Sequence, residues 1–404
     1  MNTSLLKTAV ILGLVTAVGP FAIDMYLPAL PAIAEGLGTG TAAVQMSLTA
    51  FFISFGLFQA IYWPVSDVIG RKAPFYFGLG LFTLGSIGCA LAPNIETLIF
   101  FRFIQGIGAS AGMVLPLSIV RDLHTGAEAT RLMSLIMLVF SVSPILAPLF
   151  GSIVVEAFGW RAIFVAITAA GLLSLVLVAF GMKETRPPEK RIESGIGVVA
   201  ANYWALLRDR KFLGLTFIGG FGMGSFFAFL ASSSFVYIEH FGVSPTVFSM
   251  LFSVNAIAFI GVAQFAGFFI ERFGLDSVVR TAVLGYVVMA VLLFGLTVAG
   301  VDSLPVIVVC LFVGFGFLGL VIPSTAVLAL EDYGPTAGTA AALMGTLRFA
   351  AGAVSIAAAS AFFDGTPLPM VTMIAACAVG AFVLSRVTLA GRVVAAAEEA
   401  APAE

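Results

Sequence analysis

Residues 63–72 read W-P-V-S-D-V-I-G-R-K, and residues 267–276 read G-F-F-I-E-R-F-G-L-D. Both are short polar breaks between apolar runs, about half a chain length apart. At a common shift of 204 residues, Gly38 meets Gly242, Met46 meets Met250, Asp67 meets Glu271 and Gly70 meets Gly274. An acid and a glycine recurring in a loop at half the chain length mark a duplicated unit. Parallel repeats of this kind build two-lobed secondary transporters.

Working outward from these loops, the rest of the chain is apolar. Of 404 residues, 60% are hydrophobic and 10% charged, with 43 glycines and 39 phenylalanines. Average globular chains carry roughly 25% charge. A crossing helix needs about 20 residues, and the runs between polar breaks supply twelve: 8–30, 44–65, 74–92, 97–119, 130–154, 160–181, 212–236, 246–269, 278–299, 304–329, 337–362 and 367–390. The expected fold is an all-α membrane protein, twelve transmembrane helices in two pseudo-symmetric six-helix bundles. The domains are 1–182, a solvated linker over 183–211 with Pro187 and Pro188, a second bundle over 212–392 and a tail over 393–404.

Charge fixes the expected direction. With the N-terminus inside, 16 of the 19 Lys and Arg fall on the cytoplasmic side, among them the seven of the linker. Arg161 alone falls outside, and Arg102 and Arg348 fall within spans. By the positive-inside rule, both termini are cytoplasmic and the inner membrane is the location. The net charge of −2 leaves no basic excess for nucleic acid. Cys89, Cys310 and Cys377 sit in separate apolar runs and read as packing residues, and His124 and His240 fall in loops on opposite sides. No metal or cofactor is expected beyond the proton. The first run carries Asp24 and Pro28 and is too long for a cleaved signal peptide.

Several motifs carry a resemblance. Span 1 holds A-I-D-M-Y-L-P-A-L-P (22–31) and span 4 holds R-F-I-Q-G-I-G-A-S-A (102–111), followed by I-V-R-D (119–122). Span 5 holds S-P-I-L-A-P-L-F-G-S (143–152), span 7 ends in F-V-Y-I-E (235–239), and span 11 reads A-G-T-A-A-A-L-M-G-T-L-R-F (337–349). The two half-chain loops are similar to the pattern G-x-x-x-D-R-x-G-R-K. Over nearly its whole length the chain resembles the major facilitator superfamily, and within it the bicyclomycin-resistance subfamily of drug:proton antiporters. That resemblance implies export of bicyclomycin, chloramphenicol-type drugs or sulfonamides, and in some members cysteine-related export. The sequence departs at Ala147 and Ser152, where the antiporter motif G-P-x-x-G-G has glycines, and at Val68, where the loop pattern has Arg.

A charge at bilayer depth costs at least about 2.5 kcal/mol, which singles out Asp24, Arg102 and Arg348. Asp24 and Arg102 fall at similar depth. Either they form a fixed ion pair joining spans 1 and 4, or Asp24 carries the transported proton and Arg102 modulates it. Desolvation disfavours a charged carboxylate and a nearby guanidinium favours it, so a site alternating between them can load and unload. Arg348, near the midplane, either bonds to neighbouring carbonyls and hydroxyls or offers a donor to substrate. Tyr26 and Gln105 share turns with Asp24 and Arg102, and either bridge helices or line a substrate cavity. Asn255 is a cavity donor in the second half, and Met223, Phe226, Phe227 and Phe229 form an apolar wall or simply pack. Gln59 and Gln264 read as bridges between helices.

For gating, Asp67 either pairs with Arg121 or faces the start of span 11, with Gly70 permitting the turn beside Arg71. Glu271, Arg272 and Gly274 form the second copy. Pro144 and Pro148 remove backbone donors from span 5. The G-x-x-x-G spacings at 108–112 and 220–224 mark helix packing or dimerisation. The reading that follows is a monomeric, proton-coupled exporter of a small drug from the lipid bilayer. A metabolite exporter on the same fold is the alternative. An enzyme lacks its motifs here, and a twofold repeat suits a rocking carrier better than a channel.

Overall fold

In lipid no water satisfies backbone N–H and C=O groups, so a chain crosses as helix or closed barrel. The computed structural model describes residues 3–191 and 196–399. It contains twelve helical stretches long and apolar enough to cross a membrane. No strand occurs among the described residues.

The first lobe comprises α1 (Thr3–Asp24), α2 (Leu30–Gly36), α3 (Thr41–Ile69), α4 (Lys72–Ala90), α5 (Ile95–Leu123), α6 (Gly126–Phe158) and α7 (Trp160–Gly181). A short helix, α8 (Ile196–Leu206), precedes the second lobe. That lobe comprises α9 (Arg210–Ser234), α10 (Pro245–Gln264), α11 (Ala266–Phe273), α12 (Leu275–Val298), α13 (Leu304–Leu330), α14 (Ala337–Ala361) and α15 (Leu368–Glu399). An even number of crossings puts both chain ends on one face, here called the termini face. The opposite side is the far face.

The internal repeat is written in the backbone. Gly38 and Gly242 have φ of +60° and +69°, and Gly70 and Gly274 have +96° and +79°. These left-handed angles suit glycine, and each pair occupies corresponding turns of the two lobes. Within a lobe, small residues let helices close up. A Cβ on Gly108 would run into the backbone of Phe82 and Gly78 on α4, and one on Gly224 would meet the Ser355 hydroxyl on α14. Both G-x-x-x-G spacings are therefore occupied by internal packing. Between lobes, α3 packs on α14 and α9, and α6 packs on α10.

Three spans are less regular than their hydropathy suggests. Pro28 has no N–H for the Asp24 carbonyl four residues back. α1 therefore stops at Asp24, and a 3-10 turn over Leu27–Ala29 leads into α2. α9 ends in a π turn over Phe235–His240. The expected helix 246–269 is interrupted at Phe265, between α10 and α11.

The linker also differs from the solvated strap expected over 183–211. Val199, Tyr203 and Leu206 recur at helical spacing, so one face of α8 can bury. Leu206 is buried, and the Tyr203 hydroxyl donates to the Ala60 carbonyl at 3.0 Å. Linker residues 192–195 lie outside the described residues, as do 400–404 of the tail expected over 393–404.

Candidate functional site

Two residues along an α-helix turn it by about 200°, so Ala22 and Asp24 point to opposite sides of α1. Ala22 and Tyr26 face the interior of the first lobe and are fully buried. Asp24 points the other way at the last turn of α1. The 3-10 turn that follows packs on α6, and on α9 and α10 of the second lobe. The Asp24 side chain is 5% exposed, and no charged group or hydrogen-bond donor among the described residues acts on its carboxyl. Gly151 of α6 abuts the break: a Cβ there would strike the Met25 carbonyl oxygen and lie 2.9 Å from its Cα.

Arg102 does not pair with Asp24, so the fixed ion pair is not formed. Its guanidinium lies between two rings, 4.5 Å from the centroid of Tyr26 and 4.4 Å from that of Phe51. One nitrogen, Nη1, donates to the Ala22 carbonyl at 3.1 Å and to Gln105 Oε1 at 2.6 Å. Gln105 in turn donates to the Ser86 hydroxyl at 2.7 Å, and the Tyr26 and Ser47 hydroxyls are 2.7 Å apart. Nε and Nη2 of Arg102 are buried without a hydrogen-bond partner among the described residues. Tyr26 and Gln105, expected along a substrate cavity, thus serve the wall that holds Arg102.

The lobes meet at mid-depth through aromatic rings. Phe52 of α3 stacks on Phe227 of α9 at 4.0 Å, and Phe349 of α14 lies 4.9 Å from Phe55 and 5.5 Å from Phe227. The expected wall residues point elsewhere. Phe226 stacks on Phe259, and Phe229 on Phe252, both inside the second lobe, while Met223 is half-buried against its core. Phe227 is the one that crosses. Asn255 is fully buried, and its side chain and the Tyr237 hydroxyl interact with each other, while neither makes a hydrogen bond to any third group among the described residues.

Arg348 takes the structural option. Nη1 donates to the Ile322 carbonyl at 3.1 Å and Nη2 to Thr325 Oγ1 at 2.9 Å, while Nε faces the Thr216 carbonyl at 3.4 Å. It lies flat against Gly219, tying α14 to α9 and α13. Gln59 lies against Gly345 of α14, and Gln264 is exposed.

On the termini face Asp67 pairs with Arg71 at 2.8 Å and with Arg186 at 2.9 Å, not with Arg121. Arg71 also reaches Asp122 at 2.8 Å. Arg121 lies instead over the Trp63 ring at 5.6 Å. Partner choice follows from α7 ending beside the α3–α4 turn, which brings Arg186 and Glu184 into range. Asp67 and Arg121 do line a common cavity of about 860 Å³ with Thr336 and Gly338 at the start of α14. Gly70 has two reasons to be glycine: its positive φ, and Glu184 Oε2, which a Cβ would meet at 2.8 Å. In the second copy Glu271 and Arg272 are exposed, Arg272 stays over Phe273, and no ion pair joins them among the described residues.

Glu184 caps α4 from the segment that follows α7, accepting from the N–H of Arg71 at 2.9 Å and of Lys72 at 3.0 Å. Burial pushes its carboxyl up, but the N–H groups of Arg71, Arg186 and Lys72 outweigh burial and hold it below its usual range. A depressed carboxyl contributes stability above its unfolded pKa of about 4.3 and loses it as pH falls through the folded value. Glu184→Gln should therefore melt at a lower temperature than the unaltered chain at neutral pH. Thermal scans should show that gap closing as the buffer is acidified below about pH 4.

Sequence reasoning passed over Asp122, Glu184 and Arg186. The signal was present: Asp122 follows Arg121, and E-T-R (184–186) follows the sixth span directly. Among the described residues no His, Cys, Asp or Glu cluster is arranged to hold a metal.

Two six-helix lobes, a broken first helix and, among the described residues, a lone buried carboxyl next to the turn where the lobes meet define a membrane carrier. The chain belongs to the Major Facilitator Superfamily, which residues 12–356 match. It is 41% identical over 355 residues to an uncharacterised MFS-type transporter, YdgK, of Bacillus subtilis, covering 86% of this chain and 87% of the relative. It is 32% identical over 370 residues to a bicyclomycin resistance protein homolog of Haemophilus influenzae, covering 91% and 92%. That relative carries the name of the subfamily its motifs resemble. The crystal structure of a D-xylose–proton symporter shares the fold, with a TM-score of 0.72 at 15% identity over 94% of this chain and 98% of that one.

Proposed function

We propose that this chain is a proton-coupled exporter of small, polar-to-amphipathic antibiotics in the inner membrane, with the termini face in the cytoplasm. It works as a monomer by alternating access between its lobes. The observation that carries this reading is Asp24. It is a buried carboxyl with no cation beside it among the described residues, at the last turn of α1, just before the 3-10 turn that packs on α9 and α10 of the opposite lobe. A charge in an oil-like setting costs free energy, and taking up a proton removes it. Proton gain and loss at Asp24 then changes which arrangement of the lobes is favoured. The name of the Haemophilus relative supports an antibiotic as cargo.

The buried amide of Asn255 and the adjacent Tyr237 hydroxyl, which bond to no third group among the described residues, are the polar groups we assign to substrate, because a buried amide with donors and acceptors left over is costly. Asn255→Leu should weaken drug binding about tenfold, the worth of one or two hydrogen bonds, measured by calorimetry on purified protein. An unchanged dissociation constant removes Asn255 from the site.

The function itself is tested by a resistance panel in a pump-deficient bacterium, with Asp24→Asn as the control. Raised resistance to one or more antibiotics, lost in the control, is the expected result. Resistance to none would turn the reading to a metabolite exporter.

A further inference from the structure

On the far face, α6 of the first lobe and α10 of the second run antiparallel and are joined by hydroxyls. Thr246, Ser249 and Ser253 are spaced three and four apart, so they share one face of α10. The Ser249 hydroxyl donates to the Pro148 carbonyl at 2.9 Å, and the Ser253 hydroxyl to the Ile145 carbonyl at 2.8 Å. At the rim, the Thr246 N–H and hydroxyl both donate to Glu156 Oε1, at 3.2 and 3.0 Å. Nothing else polar on this face of α10 reaches the first lobe among the described residues.

Each serine has a second acceptor in its own helix. Ser249 also reaches the Pro245 carbonyl at 2.9 Å, and Ser253 the Ser249 carbonyl at 2.8 Å. A hydroxyl has one proton to donate, so it is shared between the two lobes' carbonyls. When the lobes separate, each proton settles on its own helix and no buried donor is orphaned. An asparagine or lysine in the same place would be left bare and would resist opening. The ladder is therefore the part of the far-face closure that breaks at little cost, beside the Gln45 amide of α3, which also crosses between the lobes by donating to the Ala231 carbonyl of α9 at 3.0 Å. This suits a contact made and broken once per transport cycle.

The geometry points to Thr246, Ser249 and Ser253, with Glu156 and the Ile145 and Pro148 carbonyls, as a reversible far-face latch of this carrier. The inference rests on the alternating-access reading above but not on Asp24, which takes no part in the ladder. It assigns a gating role to α10 hydroxyls that lie far from the charged loops of the termini face.

The test uses the full chain in lipid nanodiscs, without drug or pH gradient. Spin labels are placed on cysteines introduced at Leu91 and Val301, exposed on far-face loops of opposite lobes. The native cysteines are buried and stay unlabelled. Replacing Ser249 and Ser253 by alanine together should raise the ratio of long to short inter-label distances roughly tenfold. Replacing both by threonine, which keeps the hydroxyls, should restore the original distribution. An unchanged distribution in the alanine pair overturns the latch, as does an equal shift in both pairs. A second measurement does not depend on how the alanine pair folds. A disulfide between Glu156→Cys and Thr246→Cys should stop transport, and reduction should restore it. Transport that continues through the disulfide contradicts the assignment. Failure of either test leaves the Asp24 reading standing.

Discussion

Asp24→Asn should give a folded protein that still binds drug and no longer exports it against a gradient. Asparagine has nearly the shape of aspartate and cannot carry a transported proton. Its cost to the fold should be small, and the structure says why. Removing one partner of a buried ion pair costs about 3–5 kcal/mol, but Asp24 has no such partner among the described residues. The melting temperature should thus hold or rise, while drug affinity stays within a few-fold. One proton exchanged per drug against about 100 mV is worth roughly 2.3 kcal/mol, a gradient of roughly fiftyfold for a neutral drug. In proteoliposomes that accumulation should collapse to equality in the variant. For a monocation exchanged one for one the electrical contribution cancels, so imposing a voltage alone separates neutral from cationic cargo.

Gly151→Ala should cost the most stability for the least chemistry. The added methyl would strike the carbonyl oxygen of Met25 and press on its Cα at 2.9 Å. Both are backbone at the break of α1, and backbone cannot rotate aside as a side chain can. Overpacking of this kind costs about 1–3 kcal/mol, roughly a five- to 150-fold shift in a two-state equilibrium. Folded yield and transport should fall together. Gly267→Ala is the matched control, since nothing lies within 4 Å of a Cβ at that position, and it should behave as the unaltered chain. If Gly151→Ala transports normally, the broken segment of α1 is not held by α6.

The fold was legible because its determinants are one-dimensional. Bilayer thickness sets span length, and glycines such as Gly70 and Gly274 must occupy turns whatever else changes. Asp24 was legible through its rarity. Its relation to Arg102 was not read from depth alone, although the 200° step from Ala22 to Asp24 already separates the two faces. The choice among Phe226, Phe227 and Phe229 was hidden for a related reason. Three rings within one turn point three ways, and only the approach of α3 decides which of them meets the other lobe. Arg121 and Arg71 lie at one level, so the pairing of Asp67 depended on where α7 ends. The α6–α10 hydroxyls carried no signal at all, since serine in a membrane helix usually bonds to its own backbone.

Counting protons at drug binding decides whether Asp24 is the coupling group. Purified protein in weakly buffered detergent, with a pH-sensitive dye, should exchange about one proton per chain when a resistance-conferring drug is added, and Asp24→Asn should exchange none while binding the same drug. An equal proton signal from both proteins would place the coupling elsewhere in the chain.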